Sequence, residues 1–110
     1  MSVEYSMACC FGVIVSGGTV DAIMSKITDD FSAILANDFY DEFIRPINAW
    51  TGEEYFVGLI NDLGDSPVIL TKSLRFSKED LETFSWRYSD YHLAEIFEWI
   101  PQNYLINFCY

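Results

Sequence analysis

The side chains of this sequence that could take part in catalysis are one histidine and several adjacent carboxylates. His92 is the only histidine, and a hydrolase would need a nucleophile and an orienting acid around such a base. Adjacent acids could act as glycosidase carboxylates or as ligands for Mg²⁺ or Ca²⁺, but adjacent side chains usually diverge and no EF-hand spacing is present. The pairs are Asp29-Asp30, Asp41-Glu42, Glu53-Glu54 and Glu79-Asp80. We therefore expect no catalytic residue and no metal site, in a protein that is not an enzyme.

A glycine-rich turn and three cysteines are the other motifs that could bind a ligand. The turn at Ser16–Thr19 precedes a predicted helix, whose backbone amides could hold an anion. It matches neither a Walker A loop nor GxGxxG, and no lysine follows it. Cys9, Cys10 and Cys109 show no CxxC or Cys/His spacing. The sequence predicts reduced structural thiols and no cofactor.

The strongest chemical feature is the excess of negative charge. The 110 residues include 17 Asp and Glu against 6 Lys and Arg, a formal net charge of −11, yet 51% of the residues are hydrophobic. Disordered acidic tails are poor in apolar residues, so we expect one folded domain spanning residues 1–110. The charge exceeds the magnitude of about 2–8 that solubility alone favours in a small domain. This excess predicts a surface complementary to a strongly basic one.

The aromatic content indicates a second kind of surface. Aromatic residues make up 17% of the chain, more than a small core needs, so we expect a homodimer or a partner-binding face. No apolar run approaches the ~20 residues of a membrane span. The apolar segment Met7–Val15 lacks the basic region of a signal peptide. The sequence thus predicts a cytoplasmic protein that does not bind membranes.

Hydrophobic periodicity predicts the first two elements. Alternating apolar residues over Val3–Val15 predict a strand at the centre of a sheet, with small residues on one of its faces. Apolar residues at helical spacing from Val20 to Leu35 predict an amphipathic helix of about 16 residues. Thr19 is its predicted N-cap.

Three strands are predicted in the middle of the chain. They are separated by turn residues, and Pro46 places the first of them at a sheet edge or at a strand end. The predicted strands are Asp38–Asn48, Tyr55–Asn61 and Val68–Leu74.

A second helix and a closing strand complete the predicted fold. Ser77 and Asp80 form a capping box for a helix that runs toward Ile100. Its apolar residues lie nearly all round, which indicates either a break near Ser89-Asp90 or contact with both the sheet and a partner. Tyr104–Tyr110 is the last strand. The order β-α-β-β-β-α-β predicts an α+β fold, an antiparallel or mixed sheet of about five strands with two main helices packed on it.

These features predict a small acidic protein that inhibits a nucleic-acid-handling enzyme by occupying its basic surface, as phage anti-CRISPR and antirestriction inhibitors do. Its partner would be a basic protein such as a nuclease, and it would not itself bind nucleic acid. The predicted contact residues are Asp29, Asp30, Asp38, Tyr40, Asp41, Glu42, Trp50, Glu53, Glu54 and Tyr55.

Two alternative functions are also compatible with this sequence. A bacterial immunity protein that neutralises a cognate toxin would need the same acidic surface, so composition does not separate it from an inhibitor. A small enzyme or ligand-binding domain would instead need a pocket with convergent polar groups around His92.

Overall fold

The computed structural model describes residues 5–48, 52–64 and 76–109, which form an antiparallel sheet and three α-helices. The strands are β1 (Tyr5–Ser16), β2 (Ile44–Pro46), β3 (Glu54–Gly64) and β4 (Gln102–Cys109). The helices are α1 (Gly17–Asp30), α2 (Ala33–Phe43) and α3 (Lys78–Asp90). The α+β class is confirmed, but the details differ: within these ranges there are four strands rather than about five, and three helices rather than two. The predicted strand Val68–Leu74 lies outside the described residues.

The central position predicted for the first strand is confirmed. The sheet order is β2-β3-β1-β4, and β1 pairs antiparallel with both neighbours. Its backbone approaches β3 closely where Gly12 pairs with Gly58. A Cβ atom on Gly12 would lie 2.2 Å from the carbonyl oxygen of Val57, a distance that no side chain tolerates. The pairing of these two strands therefore depends on glycine.

The single helix predicted over Val20–Leu35 is two helices. Ser16, not Thr19, is the N-cap of α1, and its hydroxyl accepts the N–H of Thr19 at 3.3 Å. At the other end Ser32 caps α2 by accepting the N–H of Leu35 at 3.1 Å. The prediction was wrong because apolar spacing continues across the break, whereas a capping serine and two carboxylates at the end of α1 both favour ending the helix.

The prediction of a strand over Asp38–Asn48 was wrong for most of its length. Residues up to Phe43 belong to α2, because Ala36, Phe39 and Phe43 bury one side of a helix at spacings of three and four. Only Ile44–Pro46 is a strand, and it pairs with β3 at the edge of the sheet. The edge position predicted from Pro46 is confirmed.

The capping box and the closing strand predicted for the last part of the chain are confirmed, whereas the helix predicted to run toward Ile100 is wrong beyond Asp90. Ser77 and Asp80 form the capping box of α3, with their two hydrogen bonds at 3.1 and 3.3 Å. The helix ends at Asp90, so the break near Ser89-Asp90 is confirmed. The chain then folds back over α3, where the Tyr88 hydroxyl accepts the N–H of Trp99 at 3.0 Å. β4 follows and closes the sheet.

Two apolar cores lie on the two faces of the sheet. The helices cover one face, where Phe84 and Leu93 are fully buried. On the other face the small residues of β1 leave room for Phe56 and Phe108, which are also fully buried. Arg45 crosses this second face, with its guanidinium carbon 5.0 Å from the centre of the Phe108 ring. Side chains from opposite edge strands thus meet over β1. In the ranges described, no helix has the length and apolar character that a membrane span requires.

Candidate partner-binding surface

The acidic side chains of this protein lie at its surface. Of the 17 acidic residues, all but Glu4 and Asp65 fall in the described ranges, and every one of those described is exposed. The apolar residues fill both cores, and the described residues include no buried polar or charged side chain. The charge excess is therefore a property of the folded surface and not of a tail.

Few of these carboxylates are neutralised within the protein. Lys26 binds Asp30 at 3.2 Å and Glu95 at 3.0 Å, and hydrogen bonds to Glu95 and Asp30 raise its pKa above the ordinary value. The other ion pairs are Arg45–Asp62 at 2.6 Å and Lys78–Glu82 at 3.9 Å. The remaining acids of the described ranges form no ion pair there. Most of the negative charge is thus available to an external cation.

The outer side of α2 concentrates three carboxylates. Asp38, Asp41 and Glu42 follow each other at helical spacings of three and four and are all exposed, while the opposite side of the helix is buried. Ile34, one turn before Asp38, is 74% exposed. We call these four residues the α2 acidic face.

The outer side of α3 has a similar composition. Trp86 is 65% exposed, with Glu82 and Asp90 one turn before and after it and Glu79 about two turns before. We call these four residues the α3 acidic face. Sequence reasoning missed it as a contact surface. The sequence contains the information needed to predict this face, because the capping box shows where the helix begins and Phe84 and Tyr88 indicate its buried side.

The two acidic faces belong to neighbouring helices. The ring of Phe84 lies 5.0 Å from that of Phe43 of α2, so α2 and α3 pack on the same aromatic cluster. Glu42 at the end of α2 and Asp80 at the start of α3 both line a cleft of about 260 Å³, together with Asn61 of β3. One carboxylate of each helix thus lines this cleft.

The predicted contact residues are distributed over more than one region. Glu53 and Glu54 lie beside the start of α1, where the N–H of Gly17 donates to the Glu53 carbonyl at 3.1 Å. Asp29 and Asp30 lie at the opposite end of α1, about 20 Å away along a 14-residue helix. Asp38, Asp41 and Glu42 share the outer side of α2, as described above. Trp50 lies outside the described residues.

The two predicted tyrosines are partly buried. Tyr40 and Tyr55 both pack against the core under the helices. Burial raises the pKa of Tyr40, and the nearby Tyr55 and Asp41 raise it further. Their rings therefore support the core as well as offering a phenol edge to solvent.

His92, Cys9 and Cys10 belong to neither acidic face. His92 is exposed and has a positive φ of 54° just after α3. Cys10 is buried in the second core, and burial raises its pKa to about 12, whereas Cys9 is half-buried on the other face of β1. Within the described ranges, no three His, Cys, Asp or Glu side chains are grouped so that they could hold a metal ion.

Comparison with models of protein families, with curated proteins and with solved structures gives no match for this chain. Its function is therefore argued from the geometry and charge of its own surface.

Proposed function

We propose that this protein binds and inhibits a nucleic-acid-handling enzyme by covering the basic surface on which that enzyme holds nucleic acid. The observation that supports this proposal is that every described carboxylate is exposed and most of them form no ion pair within the described ranges. Such a surface favours rapid association with a basic protein.

The density of charge on α2 is comparable to that of nucleic acid. Asp38, Asp41 and Glu42 span about 6 Å along the helix axis, a mean spacing of about 3 Å per charge. One strand of duplex DNA has one phosphate charge per about 3.4 Å. Lysine and arginine side chains arranged for phosphates would therefore meet a similar charge density on this helix.

The α3 acidic face adds an aromatic anchor to the charge. Tryptophan is enriched among the residues that dominate binding energy at interfaces. Trp86 projects between Glu82 and Asp90, so it fits an apolar site bordered by basic side chains, or the plane of an arginine. Charge would then set the rate of encounter and the orientation, and Trp86 would slow dissociation.

The test begins with capture of bacterial proteins on the immobilised chain at ~50 mM salt, followed by purification of each candidate enzyme. Each candidate is then titrated against labelled DNA or RNA with and without this chain. We expect one basic enzyme to lose its nucleic acid as this chain binds, with an affinity that falls at least tenfold between ~50 and ~200 mM salt.

A pair of charge-matched variants locates the contact. D38N/D41N removes two charges from the α2 acidic face, and D21N/E98Q removes two exposed charges from elsewhere. We expect the first variant to weaken binding about tenfold or more and the second less than about twofold. Equal losses, or binding that leaves the enzyme's nucleic acid in place, would overturn the proposal. Capture of a toxin encoded beside this protein would instead assign it the role of an immunity protein.

A further inference from the structure

The two edges of the sheet differ in how they are protected. One edge is β2, which has only three residues and includes a proline. The other edge is β4, which has eight residues and pairs with β1 on one side only; no strand of the described ranges lies on its other side. Backbone N–H and C=O groups on that outer side are positioned to pair with another chain.

β4 itself has neither a bulge nor a charged residue that would hinder such pairing. Its register with β1 is continuous from Gln102 to Cys109 with no bulge. No residue from Trp99 to Tyr110 is charged. Natural edge strands of this length are usually interrupted by a lysine, a proline or a bulge.

An apolar patch adjoins this edge. Leu105 of β4 is 55% exposed and lies opposite Cys9 of β1, and Met7, two residues along β1 on the same face, is 37% exposed. These side chains point to the face that the helices cover elsewhere, but they lie beyond the helices. An extension of the sheet past β4 would bury Leu105.

We propose that two copies of this protein pair antiparallel along β4, forming one eight-stranded sheet across a two-fold axis. An edge strand is complementary to its own copy, because the same donors and acceptors face each other across the axis. The pairing would extend over about 27 Å and form about eight backbone hydrogen bonds.

Charge favours a second copy as the occupant of this edge. Two chains of net charge −11 repel each other over the surfaces where the carboxylates lie. The electrostatic repulsion is smallest when they approach each other along an uncharged strand. A basic partner would be drawn to α2 and α3 instead. Because an antiparallel pairing preserves the faces of the sheet, the helices of both copies would lie on the same side.

The test measures the mass of the intact protein by sedimentation equilibrium over a range of concentrations. We expect twice the 12.7 kDa of one chain. Leu105→Glu places like charges close together across the axis, so its dimer dissociation constant should rise at least tenfold. Ala22→Glu is the control, since it adds the same charge to an exposed aliphatic position on α1, outside both acidic faces. It should leave the dimer intact.

Two further measurements keep the test decisive. Circular dichroism checks that Leu105→Glu retains its fold, and hydrogen exchange follows the β4 amides of the unmodified chain, which should be protected further as concentration rises. A monomeric mass at all concentrations up to about 0.2 mM, where micromolar dimers would be full, or equal effects of the two variants, would overturn the proposal. Salt separates it from the proposed function: pairing of like-charged copies should not weaken between ~50 and ~200 mM salt, whereas binding of a basic partner should.

Discussion

Phe84 and Trp86 lie two residues apart on α3 in opposite environments, and the contrast yields a quantitative prediction. Phe84 is fully buried, whereas Trp86 is 65% exposed. We expect Phe84→Ala to lower the free energy of unfolding by about 3–5 kcal/mol. Trp86→Ala should lower it by less than about 1 kcal/mol, although it removes the larger side chain.

The magnitude follows from the ring contacts of Phe84. Its ring centre lies 4.1 Å from that of Trp99 and 5.0 Å from that of Phe43, and the rings of Phe39 and Tyr88 lie within 6.3 Å. Each such pair contributes about 0.5–1.5 kcal/mol beyond its burial. A domain of this size has a stability of about 5–15 kcal/mol. Phe84→Ala would thus remove a large part of the total, and the melting temperature should fall by roughly 12–20 °C.

Urea denaturation followed by far-ultraviolet circular dichroism measures both variants without relying on tryptophan fluorescence. Replacement by alanine improves helix propensity similarly at both positions, so this effect cancels in the comparison. The slope of the transition should stay unchanged if both variants unfold in two states. Equal losses of stability at the two positions would refute the assignment of Phe84 to the core and of Trp86 to the surface.

Three further predictions concern the backbone, the buried thiol and a helix end. Gly12→Ala should lower the free energy of unfolding by about 3 kcal/mol in chemical denaturation, because its Cβ would meet the Val57 carbonyl oxygen at 2.2 Å. The Cys10 thiol, whose pKa is raised from 9.0 to about 12, stays protonated in the folded state at a pH where the unfolded chain has lost the proton. The free energy of unfolding should therefore fall as pH rises from about 9 toward 12, a decline that Cys10→Ala should reduce. Ser77→Ala should cost about 1 kcal/mol in thermal denaturation by removing the capping hydroxyl of α3.

Each of these predictions has a matched control. Gly18→Ala should stabilise the protein by about 0.5–1 kcal/mol, because its Cβ would meet only the Ser16 hydroxyl at 3.8 Å within a helix. Cys9→Ala should reduce the alkaline decline less than Cys10→Ala does, because burial is the main cause of the raised Cys10 pKa and the charge of Cys9 only adds to it; an equal change in the two cysteine variants would contradict the assignment to Cys10. Ser85→Ala, in the exposed middle of α3, should not destabilise; a loss equal to that of Ser77→Ala would argue against capping.

The acidic faces illustrate how far sequence reasoning reaches toward a site. That the carboxylates lie on folded elements followed from composition, since the chain has enough apolar residues for a core. Which of them share a face did not follow. In the strand predicted from the sequence, Asp38 and Asp41 would lie on opposite faces of the sheet. In α2 they lie on the same side of the helix.

The chain by itself determined the central strand and the capped start of α3. Each depends on local physics: alternation of apolar residues in β1, and a serine and an aspartate three residues apart. The residues that form each signal lie close together in the sequence, so the signal can be recognised without knowledge of the rest of the fold.

Only the tertiary structure decided where the helical segment breaks and which surfaces remain open. Phe39 and Phe43 satisfy either a strand or a helix pattern, and packing against Phe84 selects the helix. Likewise, the place of β4 at the end of the described sheet follows from which strands lie beside β1. Long-range packing chooses between local patterns of similar free energy, and for that reason the surfaces proposed for binding are properties of the fold.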